Sequence, residues 1–176
     1  MENVEFRKLT QKDENAYNIY IGEFLDAGEE VIPRSIFKTN LSFKQWLKQR
    51  HDFEKGINLP VDRVKATTFF LIRKHDGKIL GALDLRHELT EHLLKFGGNI
   101  GYGVAPSERK KGYANYMLAT ALPICKGLGL EKVLITCNKE NTGSARTIQK
   151  NGGVLENEVD YDGVTRQRYW IDLNSE

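Results

Sequence analysis

Three consecutive cations stand directly before a glycine in the stretch GYGVAPSERKKGYANYML, residues 101–118. The glycine, Gly112, is followed by an apolar helical pattern, so the cations lie where a helix begins. The first turn of a helix exposes backbone N–H groups without intrahelical partners and carries the positive end of the helix dipole. A residue without Cβ lets an anion approach that backbone closely, and Ala114 keeps the next turn thin. The stretch therefore predicts a binding site for a pyrophosphate, in which the backbone amides of residues 109–114 hold the ligand.

Other phosphate-binding motifs do not fit this stretch. The pattern GxxxxGK[ST] is absent, and GYGVAP has Pro106 where a dinucleotide-binding fingerprint has its third glycine. The other interpretation of SERKKG is a charged turn that is simply solvated, as many short charge runs are. Composition alone leaves these two interpretations about equal.

The elements that would position this turn can be read from periodicity and turn residues. Thr10 and Ser42 can cap helices, the first of which places Tyr17, Ile21, Phe24 and Leu25 on one face. Asp76-Gly77 and Asp162-Gly163 are typical of hairpin turns. Strands are expected over residues 4–9, 66–87 (as a hairpin), 98–104, 132–137, 153–159 and 166–173, and helices after Thr10 and over 42–56, 113–129 and 142–151. This order, β-α-α-β-β-β-α-β-α-β-β, predicts an α/β (α+β) fold with a mixed, mostly antiparallel sheet of about seven strands and helices on both faces.

Length and charge limit the kind of protein. A chain of 176 residues is long enough for one ordinary core, and no linker or repeat divides it, so residues 1–176 are expected to form a single domain. The formal charge of +2 argues against nucleic acid and membrane surfaces as partners. Without an apolar leader or spanning segment, a cytoplasmic location is expected. Cys125, Cys137 and the scattered histidines have no metal-ligand spacing, so no metal is expected.

Two motifs carry a resemblance to a known family. The residues SERKKGYA resemble motif A of the GCN5-related N-acetyltransferase (GNAT) superfamily, with its Arg/Gln-x-x-Gly-x-Gly/Ala signature. NTGSARTIQKNGG, residues 141–153, resembles motif B. The combination of residues 86–104 with NGGVLE and RYWIDL resembles a subgroup of predicted acetyltransferases. The matching motif positions, which the resemblance assigns to cofactor binding, are Arg109, Lys110, Lys111, Gly112, Tyr113, Ala114, Asn141 and Ser144.

The resemblance implies acetyl-coenzyme A (acetyl-CoA) as the acetyl donor. In this superfamily the fourth and fifth strands splay apart, and the pantetheine arm pairs with backbone groups in the gap. Here that implies binding near Val104, whose N–H would also stabilise the oxyanion formed when an amine attacks. Gly101 and Gly103 have no side chain, which would allow the cofactor to approach the backbone of this strand closely. Asn141 resembles the residue that bonds the cofactor arm, although an N-cap role is a comparable interpretation.

The acid–base residues depart from the family pattern. Many relatives carry a tyrosine seven residues after the motif B asparagine, where this chain has Ile148, and a glutamate where it has Asn99. Neither residue can take the usual role. Other candidate bases are Asp84, His87 and Glu88, of which His87 is put forward. Tyr102 and Tyr169 are candidate acids, and Tyr169 is the one assigned.

The sequence leaves three functions open. The first is acetyl transfer from acetyl-CoA to a primary amine of a small molecule or protein, by direct attack in a ternary complex. The second is an inactive CoA-binding or regulatory module, which the missing tyrosine and glutamate support. The third is a nucleic-acid-binding domain, against which the near-neutral net charge of +2 argues. Acidic residues at 22–30 are compatible with a cationic acceptor, although a solvated helix end is the usual interpretation of such a segment. Strand-paired dimers among relatives suggest a homodimer.

Overall fold

The computed structural model describes residues 3–174, which form seven strands and four α-helices. The order expected from the sequence is confirmed. In chain order the elements are β1 (Val4–Arg7), α1 (Glu14–Asp26), α2 (Phe43–Glu54), β2 (Ala66–Arg73), β3 (Ile79–Arg86), β4 (Ile100–Val104), α3 (Tyr113–Gly127), β5 (Lys132–Asn138), α4 (Thr142–Lys150), β6 (Val154–Tyr161) and β7 (Val164–Asp172). A π-helical turn, Leu93–Gly97, precedes β4.

The strands form two sheets, ordered β1-β2-β3-β4 and β5-β7-β6, and every ladder within them is antiparallel. In the β6–β7 hairpin only two residues connect the strands, Asp162 at φ 52° and Gly163 at φ 76°. Positive φ at both positions is the geometry of a type I′ turn, which matches the twist of the flanking strands. The β2–β3 connection is longer, since the backbone N–H of Arg73 bonds to Lys78 O across four intervening residues.

The core has two layers, one on each side of the first sheet. Alternate residues of β2 point to opposite faces, so Phe70 packs under α1 and α2 while Leu71 packs under α3. The α1–α2 side is rich in aromatic rings, with Tyr17 and Trp46 only 4.9 Å apart. The other layer continues beneath the second sheet and joins the two sheets into one body. Helices therefore cover both faces, as expected.

The local signals at the two N-terminal helices behave differently. Ser42 caps α2 by accepting from the N–H of Gln45, whose side chain bonds back to the Ser42 N–H in a capping box. On α1, Tyr17 and Phe24 are buried as predicted, but Leu25 is 58% exposed. The prediction for Leu25 was wrong because the buried stripe follows Tyr17, Tyr20, Ile21 and Phe24, and Leu25 lies 100° beyond its last member.

Candidate functional site

Asn99 joins β4 to β5 at one end only. The N–H of Asn99 donates to Leu134 O at 2.7 Å, and the side-chain oxygen accepts from the Leu134 N–H at 2.9 Å. Its side-chain NH2 and backbone oxygen bond to Arg86 on β3. Beyond this point no ladder connects the two strands within residues 3–174. The strands therefore separate into an open gap between the two sheets, with Asn99 at its closed end.

The backbone groups that face this gap follow from the pairing of β4 with β3. Ala105 N–H donates to Leu80 O, so the odd-numbered residues of β4 direct their backbone groups toward β3. The N–H groups of Tyr102 and Val104 point to the opposite edge, into the gap. Two strand amides are thus available for an extended ligand, and one belongs to the residue predicted to stabilise an oxyanion.

The beginning of α3 lies next to the gap and has the backbone shape that the sequence predicted. Gly112 is the N-cap at φ 83°, and Lys110 also has a positive φ of 62°. Within the described part of the chain, the backbone N–H groups of Gly112 and of the first turn of α3, residues 113–115, have no backbone acceptor. Because α3 is 15 residues long, its dipole adds positive potential at these amides. This geometry fits a pyrophosphate.

The three cations of the turn have different surroundings. Arg109 forms a two-point ion pair with Glu29, at 2.9 and 2.5 Å. Lys111 donates to the buried carboxylate of Glu108 at 2.8 Å, whose pKa is lowered by that hydrogen bond. Among the described residues Lys110 has no ion pair, and its side chain is exposed. Lys110 is therefore the cation most accessible to a bound phosphate.

A cleft of about 390 Å³ occupies the gap between β4, α3 and α4. Its lining brings together five of the residues predicted from sequence, namely Val104, Arg109, Ala114, Asn141 and Ser144. The lining does not include Lys110, Lys111, Gly112 or Tyr113, which belong to the adjoining turn. The two motifs, about 30 residues apart in sequence, thus meet at one cleft.

Asn141 takes the N-cap position of α4. Its side-chain oxygen accepts from the backbone N–H of Ser144 at 3.0 Å. The N-cap interpretation of this residue is therefore correct. Asn141 is also exposed and lines the cleft, and the side-chain NH2 is not used in the cap. Its cofactor-binding role stays a prediction.

Tyr102 is the tyrosine that reaches the cleft. Its hydroxyl lies 2.9 Å from Ser144 Oγ, and burial raises its pKa to about 12. Tyr169, the assigned acid, donates instead to Gln167 at 2.8 Å and does not line the cleft. No local sequence signal separates the two, because which tyrosine reaches the cleft depends on how β4 and β7 pack. Ile148 is fully buried in the core.

His87 lies away from the cleft. Its Nε2 is 2.8 Å from Thr67 Oγ1 beyond the end of β3, and burial lowers its pKa. Its role as a base stays a prediction, with no cleft residue beside it.

The close approach at Gly103 is made by the chain itself. A Cβ at Gly103 would lie 2.2 Å from Ile32 O, and one at Gly101 would lie 3.5 Å from Pro33 Cβ. The loop between α1 and α2 therefore crosses β4 at these glycines. They admit this loop onto one face of the strand, which the sequence did not reveal.

The acidic segment 22–30 is largely neutralised by neighbours. Glu23 bonds to Lys78 and to Ser107, and Glu30 pairs with Arg34 at 2.6 Å. Glu29 is held by Arg109. Since these carboxylates have cationic partners, the segment offers less negative charge to a cationic acceptor than its composition suggests.

These features define a class of acyltransferase folds with a strand gap beside a helix N-terminus. A family model described as an acetyltransferase (GNAT) domain matches residues 3–154. The chain therefore belongs to the GNAT family and is an acyltransferase. Members of this family use acetyl-CoA.

Solved structures share the fold over almost the whole chain. Ribosomal-protein-S5-alanine acetyltransferase from Vibrio fischeri superposes with a TM-score of 0.76 at 18% identity, covering 99% of this chain and 96% of that one. A spermidine N-acetyltransferase chimera from Vibrio cholerae and hSSAT gives 0.63 at 16%, covering 98% and 96%. The structure of yncA from Salmonella typhimurium with its cofactor acetyl-CoA gives 0.65 at 11%, covering 99% and 96%. A comparison with curated proteins gave no match.

Two further classes of site were searched for within residues 3–174. No cluster of three or more histidine, cysteine or acidic side chains there could hold a metal ion. In the same residues, each helix is too short or too polar to pass through a lipid bilayer.

Proposed function

We propose that this protein transfers the acetyl group of acetyl-CoA to a primary amine by direct attack in a ternary complex. The observation that carries the proposal is the arrangement around the strand gap. Unpaired amides of Tyr102 and Val104 face one side of it, and the unpartnered amides of residues 112–115 lie at its mouth. Two acetyltransferases of similar fold are named for their acceptors, an alanine of ribosomal protein S5 and spermidine, and the spermidine enzyme is named as an N-acetyltransferase. These names support an amine acceptor.

The residues of the chain have separate roles in this proposal. The amides of residues 109–114 and the Lys110 ammonium hold the pyrophosphate, and the gap-facing edge of β4 pairs with the pantetheine amides as an added strand would. Asn141 donates its free side-chain NH2 to the same arm. Arg109 releases Glu29 or shares its guanidinium with the phosphates, because both anions compete for one cation.

Acetyl-CoA supplies an activated acetyl group as a thioester. The Val104 N–H donates to the thioester oxygen as negative charge develops there. A C–N bond forms to the attacking amine and the C–S bond breaks. The amine loses one proton to solvent through ordered water, and the departing sulfur takes one.

We assign that second proton to the hydroxyl of Tyr102. It lines the cleft, whereas Tyr169 does not. Burial raises its pKa to about 12, so the hydroxyl is protonated at neutral pH and can donate. Ser144 holds the phenol in place.

The experiment is a calorimetric titration of acetyl-CoA, CoA, ATP and NAD into wild type, Gly112→Ala and Gly112→Glu. At φ 83° both variants strain the backbone, so the alanine variant is the matched control for strain. We expect binding of the CoA forms by wild type, a moderate loss in Gly112→Ala and abolition in Gly112→Glu, whose carboxylate repels the phosphates. Binding retained by a folded Gly112→Glu would contradict the site.

A CoA-binding module without chemistry is the second candidate. Ile148 is fully buried, and every polar group of Asn99 is used to join strands, so neither family position supplies an acid or a base. Release of free CoA thiol with a panel of amines distinguishes the two functions. Tight acetyl-CoA binding without turnover on any amine would favour the module.

A further inference from the structure

Glu29 and Arg109 both line the cleft and form an ion pair there. The Arg109 guanidinium donates to both carboxylate oxygens of Glu29, at 2.9 and 2.5 Å, and its Nε lies 3.4 Å from Val104 O. Because the even-numbered residues of β4 direct their backbone groups into the gap, this carbonyl is one with which a pantetheine arm would pair. A single guanidinium therefore connects the Glu29 carboxylate to the strand position proposed for the thioester.

The contacts that hold Arg109 in this position are weak. The paired side chains are 43% and 42% exposed, and an exposed ion pair contributes little because water screens it. The distance of 3.4 Å to Val104 O is long for a hydrogen bond, and the ring of Phe24 lies 5.9 Å from the guanidinium, at the limit of a cation–π contact. A phosphate offers the same guanidinium a two-point, charge-assisted pair. Donor binding can therefore exchange one anion for the other at Arg109.

The end of α1 fixes the backbone of Glu29 independently of Arg109. The Glu29 N–H donates to Phe24 O at 2.9 Å, and the N–H of Gly28, at φ 67°, donates to Leu25 O at 3.0 Å. These two bonds form a Schellman motif, in which Glu29 follows the left-handed glycine. The carboxylate therefore stays at the cleft when its partner moves away.

The charge of the cleft changes when Arg109 turns to the phosphates. Among the described residues, three charged side chains line it, those of Glu29, Glu30 and Arg109. Glu30 has its own partner in Arg34, at 2.6 Å. The hydrogen bond from Arg109 lowers the pKa of Glu29, and without it the pKa returns toward the ordinary value of about 4.3, so the carboxylate stays ionised at neutral pH. Donor binding thus leaves Glu29 as a negative charge ready for a new partner.

We infer that Glu29 selects the acceptor: acetyl-CoA draws Arg109 onto its phosphates, and the freed carboxylate binds a cationic group of the amine substrate. The attacking nitrogen must be neutral, and pairing it with a carboxylate would keep it protonated. The group that Glu29 binds is therefore a second ammonium, and the substrate class is a diamine. Because one guanidinium spans the distance from Glu29 to Val104, a short diamine is long enough. The inference rests on the proposed function, to which the donor and the thioester position belong.

The test uses three acceptors that share a chain length and a primary amine but differ in the charge at the other end. They are 1,5-diaminopentane, 5-aminopentan-1-ol and 5-aminopentanoate, and thiol release gives kcat/KM for each. After correction for its two equivalent amines, the diamine should exceed the alcohol about three- to fivefold, the scale of an exposed ion pair, and the carboxylate should fall below the alcohol.

Calorimetry tests the exchange at Arg109 without requiring chemistry. The diamine is titrated into the free protein and into its CoA complex, where we expect binding about three- to fivefold tighter. By reciprocity the diamine should tighten CoA binding by the same factor. The amino alcohol should show no such coupling, because it offers Glu29 no charge.

Two variants locate the effect, and a third is the control. Glu29→Gln should remove both the preference for the diamine and its tighter binding in the CoA complex. Arg109→Gln frees Glu29 without a donor, so the free variant should bind the diamine as tightly as the wild-type CoA complex does. Both side chains are exposed, so these variants are expected to fold. Asp26→Asn removes an exposed charge from the same helix end, outside the cleft lining, and should leave every measurement unchanged.

Three results would overturn the inference. They are equal use of the diamine and the amino alcohol, equal diamine affinity of the free protein and the CoA complex, and a CoA-dependent gain that persists in Glu29→Gln, which would place the ammonium on the phosphates. Failure of the proposed function is distinct. If CoA itself does not bind, the proposed function is wrong. If CoA binds and the diamine has no advantage, only the role of Glu29 and the substrate class are wrong.

Discussion

The hydroxyl oxygen of Tyr102 lies 2.9 Å from Ser144 Oγ and connects β4 to the first turn of α4 across the cleft. The two residues come from the two motifs that define the site, 42 positions apart. Their hydrogen bond holds a phenol at the cleft, although the family position for a tyrosine, Ile148, is buried in the core.

Tyr102→Phe tests the assignment of the acid. It removes one oxygen and keeps the ring, so we expect kcat to fall about 100-fold, the lower range for general acid catalysis, with CoA affinity within threefold of wild type. Steady-state kinetics and calorimetry give the two numbers. Tyr169→Phe is the matched control and should lose only the stability of its bond to Gln167, about 1 kcal/mol. Unchanged turnover in Tyr102→Phe would contradict the assignment and would mean that water protonates the departing sulfur.

Glu29→Gln tests the competition for Arg109. Loss of the carboxylate frees the guanidinium and removes negative charge from the cleft, so CoA should bind about two- to fivefold more tightly at low salt, the scale of an exposed ion pair. The gain should shrink at high salt. Glu30→Gln removes the same charge from the lining but leaves the Arg109 pair intact, so its effect should be smaller. Weaker CoA binding by Glu29→Gln would mean that Glu29 holds Arg109 in its binding position.

Asn99→Ala tests the junction at the closed end of the gap. The variant leaves the Leu134 N–H and the Arg86 carbonyl without their side-chain partners in a buried place, so unfolding free energy should fall by about 2 to 4 kcal/mol. CoA affinity should also fall, because the spacing of β4 and β5 is no longer held. Urea denaturation measures the first effect and calorimetry the second. Asn18→Ala, on the exposed side of α1, should cost nothing. A stability loss in Asn99→Ala with unchanged CoA affinity would show that the gap does not depend on this junction.

Asp13 sets a dependence of stability on pH. Its hydrogen bonds from Arg7, at 2.8 and 2.9 Å, are the main cause that lowers its pKa to about 2. A lowered pKa stabilises the fold above the unfolded value of about 4, and this contribution is lost as pH falls from about 4 to 2. Asp13→Asn should cost about 1 to 2 kcal/mol at pH 7, after allowance for solvent screening, and almost nothing at pH 2. Denaturation at several pH values checks this. A constant difference across that range would contradict the ion pair as its cause.

Local patterns determined most of the fold. Ser42 and Gln45 mark the beginning of α2, the apolar run at 132–137 predicts β5, and Asp162-Gly163 predicts a two-residue hairpin. Each signal needs only neighbouring residues, because capping, strand burial and turn dihedrals are local properties. The position of the basic turn before α3 was also readable, since the cations and the glycine at the beginning of the helix define it locally.

The tertiary structure decided which side chains meet at the cleft. The sequence could not distinguish Tyr102 from Tyr169, because the choice depends on how β4 and β7 lie relative to the cleft. It could not show that Glu29 lies against Arg109, 80 positions away, or that Asn99 ties β4 to β5. Nor could it show that Glu23 and Glu30 of the acidic segment are paired with Lys78 and Arg34. These features arise from contacts between distant elements, whose free energies depend on how sheets and helices pack together and not on any local pattern.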